Sequence, residues 1–191
     1  MGQLLGKKGK VLYINLEGFS GLNVLLKYNF QRDLSDLLYY LQNGNQGLAY
    51  ILGSMVESVN GLDILPPMLC QMDLISIEAN VWIRLFGEIE RYSDYEYLIL
   101  DLSDSVQGLF DILRQCFVVY TMTENDGFAM AKIDQYEQMM KQCQYEDILK
   151  KTNKCVLPHF SYLPKQLDRL TFSELAGVVK ECIKEDLYAV G

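Results

Sequence analysis

Five apolar segments separated by helical patterns set the expected architecture of this chain. They do not alternate with polar residues, so each is expected to be covered on both faces, as strands are in a parallel sheet packed between helices. The five expected strands are residues 10–16, 62–65, 97–102, 116–122 and 154–157. Because helical patterns lie between them, we predict an α/β fold in three layers, with a mostly parallel sheet flanked by helices.

Apolar residues at helical spacing mark the main helices. Asp33 is the expected N-cap of the first one, and the spacing predicts a single long helix over residues 73–92. Asp126 is expected to begin another helix, whose inward face is formed by Phe128, Ala131, Met139, Met140 and Cys143. The sequence TFSE at residues 171–174 has the spacing of a capping box for the last helix.

The acidic balance of the chain limits its partners. There are 17 Lys and Arg against 25 Asp and Glu, which gives a net charge of −8. A nucleic-acid-binding surface needs concentrated positive charge, so binding to DNA or RNA is not expected.

No apolar run reaches the ~20 residues of a transmembrane segment. In the last helix Lys180 and Lys184 are offset by acidic residues that include Glu185 and Asp186, so a membrane-surface helix is not expected either.

Length and cysteine content indicate one domain in a reducing compartment. A chain of 191 residues can bury a full core and contains no long linker, so a single domain over residues 1–191 is predicted. The five cysteines are odd in number and form no CxxC pair, which favours a cytoplasmic protein. The one histidine, His159, has no second imidazole with which to share a zinc ion.

Acidic residues follow several of the expected strands. Glu17 ends the first strand, Asp101 stands near the end of YLILDLSDS with Asp104 three residues further on, and Glu124 and Asp126 follow a later strand. The carboxyl ends of parallel strands meet at the edge of a sheet where ligands bind, so these carboxylates are expected together, with a divalent cation relieving their repulsion. The alternative is that each is only the polar residue that ends a strand. An apolar strand ending in Asp is also the form of the Walker B segment, whose carboxylate holds Mg²⁺.

Five segments occur along the chain in the order GKKGKVLYINLE, DLSDLLYYL, DYEYLILDLSDS, CFVVYTMTENDGFAMAKI and KCVLPHF. This order resembles the ParA/MinD type of P-loop ATPase, especially its CpaE/TadZ-like branch, which is associated with pilus assembly and polar placement. The resemblance implies a SIMIBI-type P-loop NTPase-like fold with ATP and Mg²⁺ as cofactors. It also implies a nucleotide-dependent positioning function, with a self-dimer and a pilus or polar-localisation machinery as partners.

The resemblance assigns roles to individual residues. Asn15 and Glu17 match the pair of acidic residues at the end of the switch I strand, which makes Glu17 the candidate catalytic residue. Asp101 matches the Walker B aspartate that holds the metal, and Pro158 with His159 resembles the loop that flanks the adenine. The chain departs from the family pattern at two places, because Asn15 has no charge and DLSDS lacks the DxPxG form of switch II.

The phosphate-binding loop of this family has no counterpart in residues 1–191, which contain no match to GxxxxGK[ST]. MGQLLGKKG resembles the end of the helix that follows that loop, so the chain is expected to begin just downstream of it and to bind ATP poorly or not at all. The first strand of the family would then be absent from the sheet. A gap, a non-native pairing or a partner chain is expected in its place.

Two other interpretations stay open. The chain could be a non-catalytic scaffold that keeps a degenerate ATPase fold for protein–protein contacts. It could also be a receiver-like signalling domain, in which clustered carboxylates bind Mg²⁺ for phosphotransfer, although residues 121–126 offer no lysine for such a site.

Overall fold

The computed structural model describes residues 1–26, 30–44 and 47–184. Glu185 and Asp186, which contribute to the charge of the last expected helix, lie outside these residues. In the part of the chain that is described, no helix has both the length and the apolar character needed to cross a membrane.

Contacts within the chain define two compact units. One contains Met1–Leu109 and Pro164–Thr171, and the other contains the remaining described residues. A late segment of the chain therefore completes the first unit: the Gln3 side chain donates a hydrogen bond of 2.9 Å to the carbonyl of Leu167. That both units belong to a single domain over residues 1–191 stays a prediction.

The strands confirm the expected α/β architecture, with a mostly parallel sheet flanked by helices. In chain order they are β1 (Val11–Leu16), β2 (Glu57–Val59), β3 (Leu62–Leu65), β4 (Tyr97–Leu102), β5 (Val119–Glu124) and β6 (Thr152–Leu157). In the first unit four strands form a sheet in the order β2-β3-β1-β4, in which β1 is parallel to β3 and to β4. β2 pairs antiparallel with β3. In the second unit β5 and β6 form a parallel pair.

The central strand β1 is the core of the first unit. Val11, Leu12, Ile14 and Leu16 are at most 1% exposed, so side chains on both faces of the strand are covered. This confirms the expectation from its unbroken apolar run. β3 and β4 cover the two residue ranges that the sequence predicts, and β1 begins one residue later than predicted.

The described strands do not form one continuous sheet. Within residues 1–26, 30–44 and 47–184, β4 pairs only with β1, and β5 pairs only with β6. β4 is therefore an edge strand of its sheet. A strand with an unpaired side is one of the outcomes expected from the sequence.

The helices follow the sequence pattern less closely than the strands do. They are α1 (Gly2–Leu5), α2 (Leu22–Leu26), α3 (Leu34–Gln42), α4 (Leu48–Met55), α5 (Gln71–Ser76), α6 (Ala79–Tyr92), α7 (Leu109–Gln115), α8 (Gly127–Gln142), α9 (Glu146–Leu149) and α10 (Glu174–Cys182), with a 3₁₀ helix at Leu167–Phe172. The N-cap of α3 is confirmed: Asp33 accepts the Ser35 N–H at 2.7 Å, and Asp36 accepts the Asp33 N–H at 2.9 Å.

The single long helix predicted over residues 73–92 is wrong. α5 and α6 are separate, because the backbone is extended at Ile77 and Glu78. The Ile77 N–H donates to the Leu74 carbonyl and closes α5, while the Glu78 carbonyl accepts the N–H of Trp82 and opens α6. Apolar side chains that are buried or half-buried continue at helical spacing across the break, at Leu74, Ile77, Val81 and Leu85, so the apolar pattern could not show it.

Three further predictions are corrected in the C-terminal part of the chain. The strand expected at residues 116–122 is shifted to β5, because the Cys116 N–H still bonds back to Leu113 at the end of α7. The strand expected at residues 154–157 begins two residues earlier, at Thr152. The capping box at residues 171–174 does not form, because Thr171 lies in the 3₁₀ helix and Ser173 is the N-cap of α10.

Helix α8 begins where the sequence predicts, and Met140 is buried as expected, but Phe128, Ala131 and Cys143 are exposed rather than inward. Asp126 caps it by accepting the N–H groups of Phe128 and Ala129 at 2.9 and 3.0 Å. The Phe128 side chain is 88% exposed, whereas Met140 is fully buried. The first turn of the helix therefore projects beyond the core, and burial begins further along.

We expect Asp33→Ala to lower the free energy of unfolding by about 1 kcal/mol, because it removes the hydrogen bond that the Asp33 carboxylate accepts from the Ser35 N–H, while the bond from the backbone N–H of residue 33 to Asp36 is kept. Urea unfolding followed through the fluorescence of Trp82, the only tryptophan, measures this loss in the first unit. Glu78→Ala is the matched control, because Glu78 caps α6 without a side-chain hydrogen bond to a described residue. This variant should lower the free energy of unfolding by about 0.5 kcal/mol or less, because it removes only the interaction of a negative charge with the helix dipole. Equal losses in the two variants would contradict the prediction.

Candidate functional site

The ends of β1 and β4 bring four polar side chains together. The two strands are parallel and in register, with Asn15 opposite Asp101. Side chains two residues apart point to the same face of a strand, so Tyr13, Asn15 and Glu17 share a face. Two strands therefore supply one cluster at the carboxyl edge of the sheet, as the sequence predicts for Glu17 and Asp101.

Asn15 joins the two carboxylates. Its side-chain amide nitrogen lies 3.2 Å from Glu17 Oε2 and 3.4 Å from Asp101 Oδ2, and its side-chain oxygen accepts the backbone N–H of Glu17 at 3.1 Å. Asn15 is only 2% exposed, so its amide has little access to water and depends on these partners. The uncharged Asn15 amide lies between the two carboxylates, and its N–H dipoles reduce the repulsion between their negative charges.

Tyr13 holds Asp101 from the other side. Its hydroxyl donates a hydrogen bond of 2.5 Å to Asp101 Oδ2 and accepts one of 3.1 Å from the Asn15 amide. Burial, followed by the negative charge of Asp101, raises the pKa of the Tyr13 hydroxyl well above its ordinary value. The hydroxyl therefore keeps its proton and acts as a donor to Asp101 throughout the physiological pH range.

The negative charges of this cluster have no cationic partner nearby. Among the described residues, no Lys, Arg or His forms an ion pair with Glu17 or Asp101. The hydrogen bonds that Asp101 accepts from described side chains fall on Oδ2, so none of these side chains occupies Oδ1, which could contact a cation or a water molecule. A hard cation such as Mg²⁺ prefers oxygen ligands of this kind and often binds through one or two carboxylates.

The cluster fits a cation held partly through water rather than a closed metal cage. Within the ranges that the structure describes, no three His, Cys, Asp or Glu side chains converge closely enough to hold a metal ion. The donor set at the end of β1 and β4 is two carboxylates and one amide. Mg²⁺ that retains several waters is compatible with such a set.

The other predicted site residues belong to the second unit, apart from Asp104, which is exposed in the turn after β4. Pro158 and His159 are exposed directly after β6, while Glu124 is the last residue of β5 and Asp126 lies two residues beyond it. A shallow depression of about 540 Å³ lies at the carboxyl end of this strand pair. Its lining includes Met122, Glu124, Asp126, Phe128, Lys132 and Leu157. That these residues share one site with Glu17 and Asp101 stays a prediction.

Tyr13 is the residue of the cluster that the sequence analysis overlooks. It lies within an apolar run, where a tyrosine ordinarily contributes its ring to the core. The available signal is spacing: Tyr13 and Asn15 in β1 and Glu17 directly after it carry polar groups at every second position. In a strand otherwise covered on both faces, that alternation indicates one polar row.

No protein-family model and no curated protein sequence matches the chain. Solved structures do resemble it. A ParA family ATPase from Chlorobium tepidum TLS superimposes with a TM-score of 0.66 and 16% identity, over 96% of this chain and 72% of that protein. A putative plasmid partition protein from Borrelia burgdorferi B31, bound to AMPPNP, gives a TM-score of 0.64 and 15% identity over 99% and 90% of the two chains. The chain has the ParA/MinD-type fold.

The MinD cell division protein of Aquifex aeolicus also has this fold, with a TM-score of 0.55 and 14% identity over 96% of this chain and 68% of that protein. At such low identities the likeness concerns the ParA/MinD-type fold alone. It confirms the fold implied by the order of sequence segments. The ParA/MinD-type fold places the ends of β1 and β4 side by side, which is the arrangement on which the cluster depends.

We expect Tyr13→Phe to lower the free energy of unfolding at pH 7 by about 1 kcal/mol, because it removes the hydrogen bond to Asp101. This difference should shrink above about pH 10, where tyrosine ionises in the unfolded chain. The pKa of Tyr13 is raised in the folded chain, so its contribution is present below pH 10 and is lost as the pH rises further. Urea unfolding between pH 7 and pH 11 measures the effect.

Tyr97→Phe, at the amino end of β4 and outside the cluster, is the matched control. Its free energy of unfolding should stay within about 0.5 kcal/mol of the wild type at both ends of this pH range. A Tyr13→Phe variant as stable as the wild type at pH 7 would show that the contact with Asp101 contributes nothing.

Proposed function

We propose that this chain is part of a ParA/MinD-like protein of the CpaE/TadZ-like branch, which positions partner proteins in a nucleotide-dependent manner. The observation that carries the proposal is the cluster in which Asn15 joins Glu17 to Asp101 at the carboxyl edge of the sheet. A ParA/MinD-type fold alone is compatible with many functions. The position of the cluster in that fold supports this one.

In this proposal each residue of the site has a separate task. Asp101 would hold Mg²⁺, directly or through water. Bound Mg²⁺ would neutralise negative charge on the phosphates. Glu17 orients a water molecule near the phosphates, while Tyr13 and Asn15 hold the two carboxylates in place. Pro158 and His159, in the second unit, flank the adenine of ATP.

The proposed partners follow from the same resemblance. ATP would favour a self-dimer, and a change of nucleotide state would change which protein the dimer contacts. A pilus or polar-localisation machinery in the cytoplasm is the proposed setting. The neighbour from Borrelia burgdorferi is named as bound to AMPPNP, which supports an adenine nucleotide as the ligand of this fold.

A scaffold without catalysis is the second candidate function, and one observation favours it. The position that corresponds to a family carboxylate is Asn15, whose buried amide already satisfies Glu17 and Asp101 without a cation. Such a cluster can be purely structural. The segment DLSDS, without the DxPxG form, also lacks the glycine that switch II needs to move toward a phosphate.

The nucleotide sequence upstream of the Met1 codon distinguishes the two functions. A reading frame that continues into KGGxGK[ST] supports the nucleotide-dependent protein, and the longer product should then bind ATP and self-associate when ATP is added. An in-frame stop codon with no glycine-rich segment supports the scaffold and overturns the first proposal.

The 191-residue chain by itself should bind ATP with a dissociation constant weaker than about 0.1 mM, because it has no match to the loop that supplies most phosphate contacts. Titration of a fluorescent ATP analogue in the presence of Mg²⁺ measures this affinity. Competition by unlabelled ATP controls for binding of the fluorophore. Micromolar or tighter binding would contradict the assignment of the phosphate site to a loop outside these residues.

We expect Asn15→Asp to tighten divalent-cation binding by about tenfold, because a third carboxylate joins Glu17 and Asp101 at hydrogen-bond distance. Electron paramagnetic resonance of Mn²⁺, a stand-in for Mg²⁺, counts free and bound metal. Asp101→Asn should abolish the binding, whereas Asp104→Asn, in the exposed turn, should leave it unchanged. If Asn15→Asp and wild type bind Mn²⁺ equally weakly, the cluster is structural and the scaffold is favoured.

A further inference from the structure

Exposed apolar side chains gather where the chain leaves two adjacent strands of the first sheet. They belong to the segments that follow β1 and β3, which are parallel neighbours, so both segments lie at the carboxyl edge of the sheet. Four of these side chains, which we call the apolar surface, are between 68% and 86% exposed: Phe19, Val24, Leu69 and Met72. β3 lies on the opposite side of β1 from β4, so the apolar surface does not include the unpaired side of β4.

A direct contact holds the two segments next to each other. A Cβ atom at Gly18 would lie 2.7 Å from side-chain atoms of Gln71, so the Gln71 side chain packs on the backbone of residue 18. Phe19 and Met72 are the next residues along the two segments, and both are exposed. Single exposed apolar side chains are common in proteins, whereas several on neighbouring segments are typical of an interaction site.

Helix α2 is apolar on its outward side as well as on its inward side. Leu22 is buried in a cluster with Val11 and Ile64, and Leu26, one turn later, packs against the same cluster. Val24 lies between these two leucines on the outward side of the helix. A helix that is apolar all round is expected to be covered all round, so the outward side of α2 is a surface that another molecule can cover.

The two segments carry only negative charges. Residues 17–26 and 66–78 include Glu17, Asp73 and Glu78 and contain no Lys, Arg or His. None of these three acids forms an ion pair with a described residue. Lys or Arg beside an apolar centre would complement such charges. A second copy of the chain, or an anionic membrane, would instead bring negative charge against negative charge.

We propose that the apolar surface binds an amphipathic helix of a partner protein, whose apolar face is bordered by Lys or Arg. The surface lies beyond the strand ends and offers side chains, which suit a helix, whereas a sheet edge offers the row of backbone groups that suits a strand. Contacts with Phe19 and Met72 supply most of the affinity, and a basic residue beside Asp73 orients the helix. The proposal requires neither nucleotide nor metal, so it goes beyond the function proposed above.

A labelled helical peptide tests the proposal on the whole 191-residue chain in the presence of EDTA. The probe has about 16 residues, in which Leu-Leu pairs alternate with Lys-Lys pairs, so that it forms a helix with one apolar and one basic side. It carries fluorescein for anisotropy, and we expect a dissociation constant of about 10 μM or tighter. A control peptide with Glu in place of every Lys should bind at least about tenfold more weakly, because its charges are repelled. No binding of the probe at about 0.1 mM, or equal binding of the two peptides, would overturn the proposal. Either result leaves the ATP and Mn²⁺ tests of the proposed function unaffected.

Surface variants of the chain show whether the apolar surface is the site. Phe19→Ser and Met72→Ser should each weaken the probe by about tenfold, because each removes an apolar contact. Tyr92→Ser is the matched control: Tyr92 is an exposed residue at the end of α6, towards the amino end of β4, and its loss should leave the affinity unchanged. Asp73→Asn should weaken the probe by about threefold, whereas Glu90→Gln, which removes an exposed acid of α6, should not. Equal effects of Tyr92→Ser and Phe19→Ser would overturn the proposal.

Two further measurements separate the proposed partner from other occupants. In NMR spectra of protein with isotope-labelled methionine methyl groups, saturation with the probe should shift the signal of Met72 and leave that of Met122, in the second unit, in place. Sedimentation of the chain alone tests for a second copy, because self-association that Phe19→Ser removes would make the apolar surface a dimer interface. Binding to phosphatidylserine vesicles that Phe19→Ser removes would make it a membrane-binding surface. Either of these results would overturn the proposal.

Discussion

The parallel, in-register pairing of β1 with β4 is the constraint on which the rest of the first unit depends. It covers β1 on one edge and places Asn15 opposite Asp101, so two strands far apart in sequence supply a single polar cluster. A shift of one residue would move every side chain of the displaced strand to the other face. The polar row of β1 would then no longer meet Asp101. The buried leucines and isoleucine of β1 therefore hold the register that the site requires.

Most of the strands could be predicted because they are buried, and a buried strand appears in the sequence as a continuous apolar run. β3 is further delimited by Pro66, which cannot continue a paired strand. The misses have physical causes. β2 is a polar edge strand and leaves no apolar signal. The division between α5 and α6 occurs at Ile77 and Glu78, where the backbone changes although the buried stripe continues. An apolar pattern shows which side chains are covered and does not show whether the backbone between them stays helical.

Two residues of the candidate site, Glu17 and Asp101, could be predicted from the sequence, because the carboxyl ends of parallel strands meet at one edge of a sheet. Tyr13 could not be predicted as part of the site, because a tyrosine within an apolar run gives no sign of how its hydroxyl is used. The structure also changes the electrostatic picture. Repulsion between the carboxylates is moderated by the Asn15 amide, which is hydrogen-bonded to both of them, and by the Tyr13 hydroxyl, which donates to Asp101. A cation bound at this cluster would therefore have to compete with, or add to, the donors that the fold supplies.

The contact of Gln3 with Leu167 joins residues that are 164 positions apart in the chain. During synthesis on a ribosome the amino-terminal strands emerge early, but this contact must wait until Pro164–Thr171 has left the exit tunnel. Until then the Gln3 amide lacks its partner carbonyl, so this hydrogen bond is one of the last that the first unit can form.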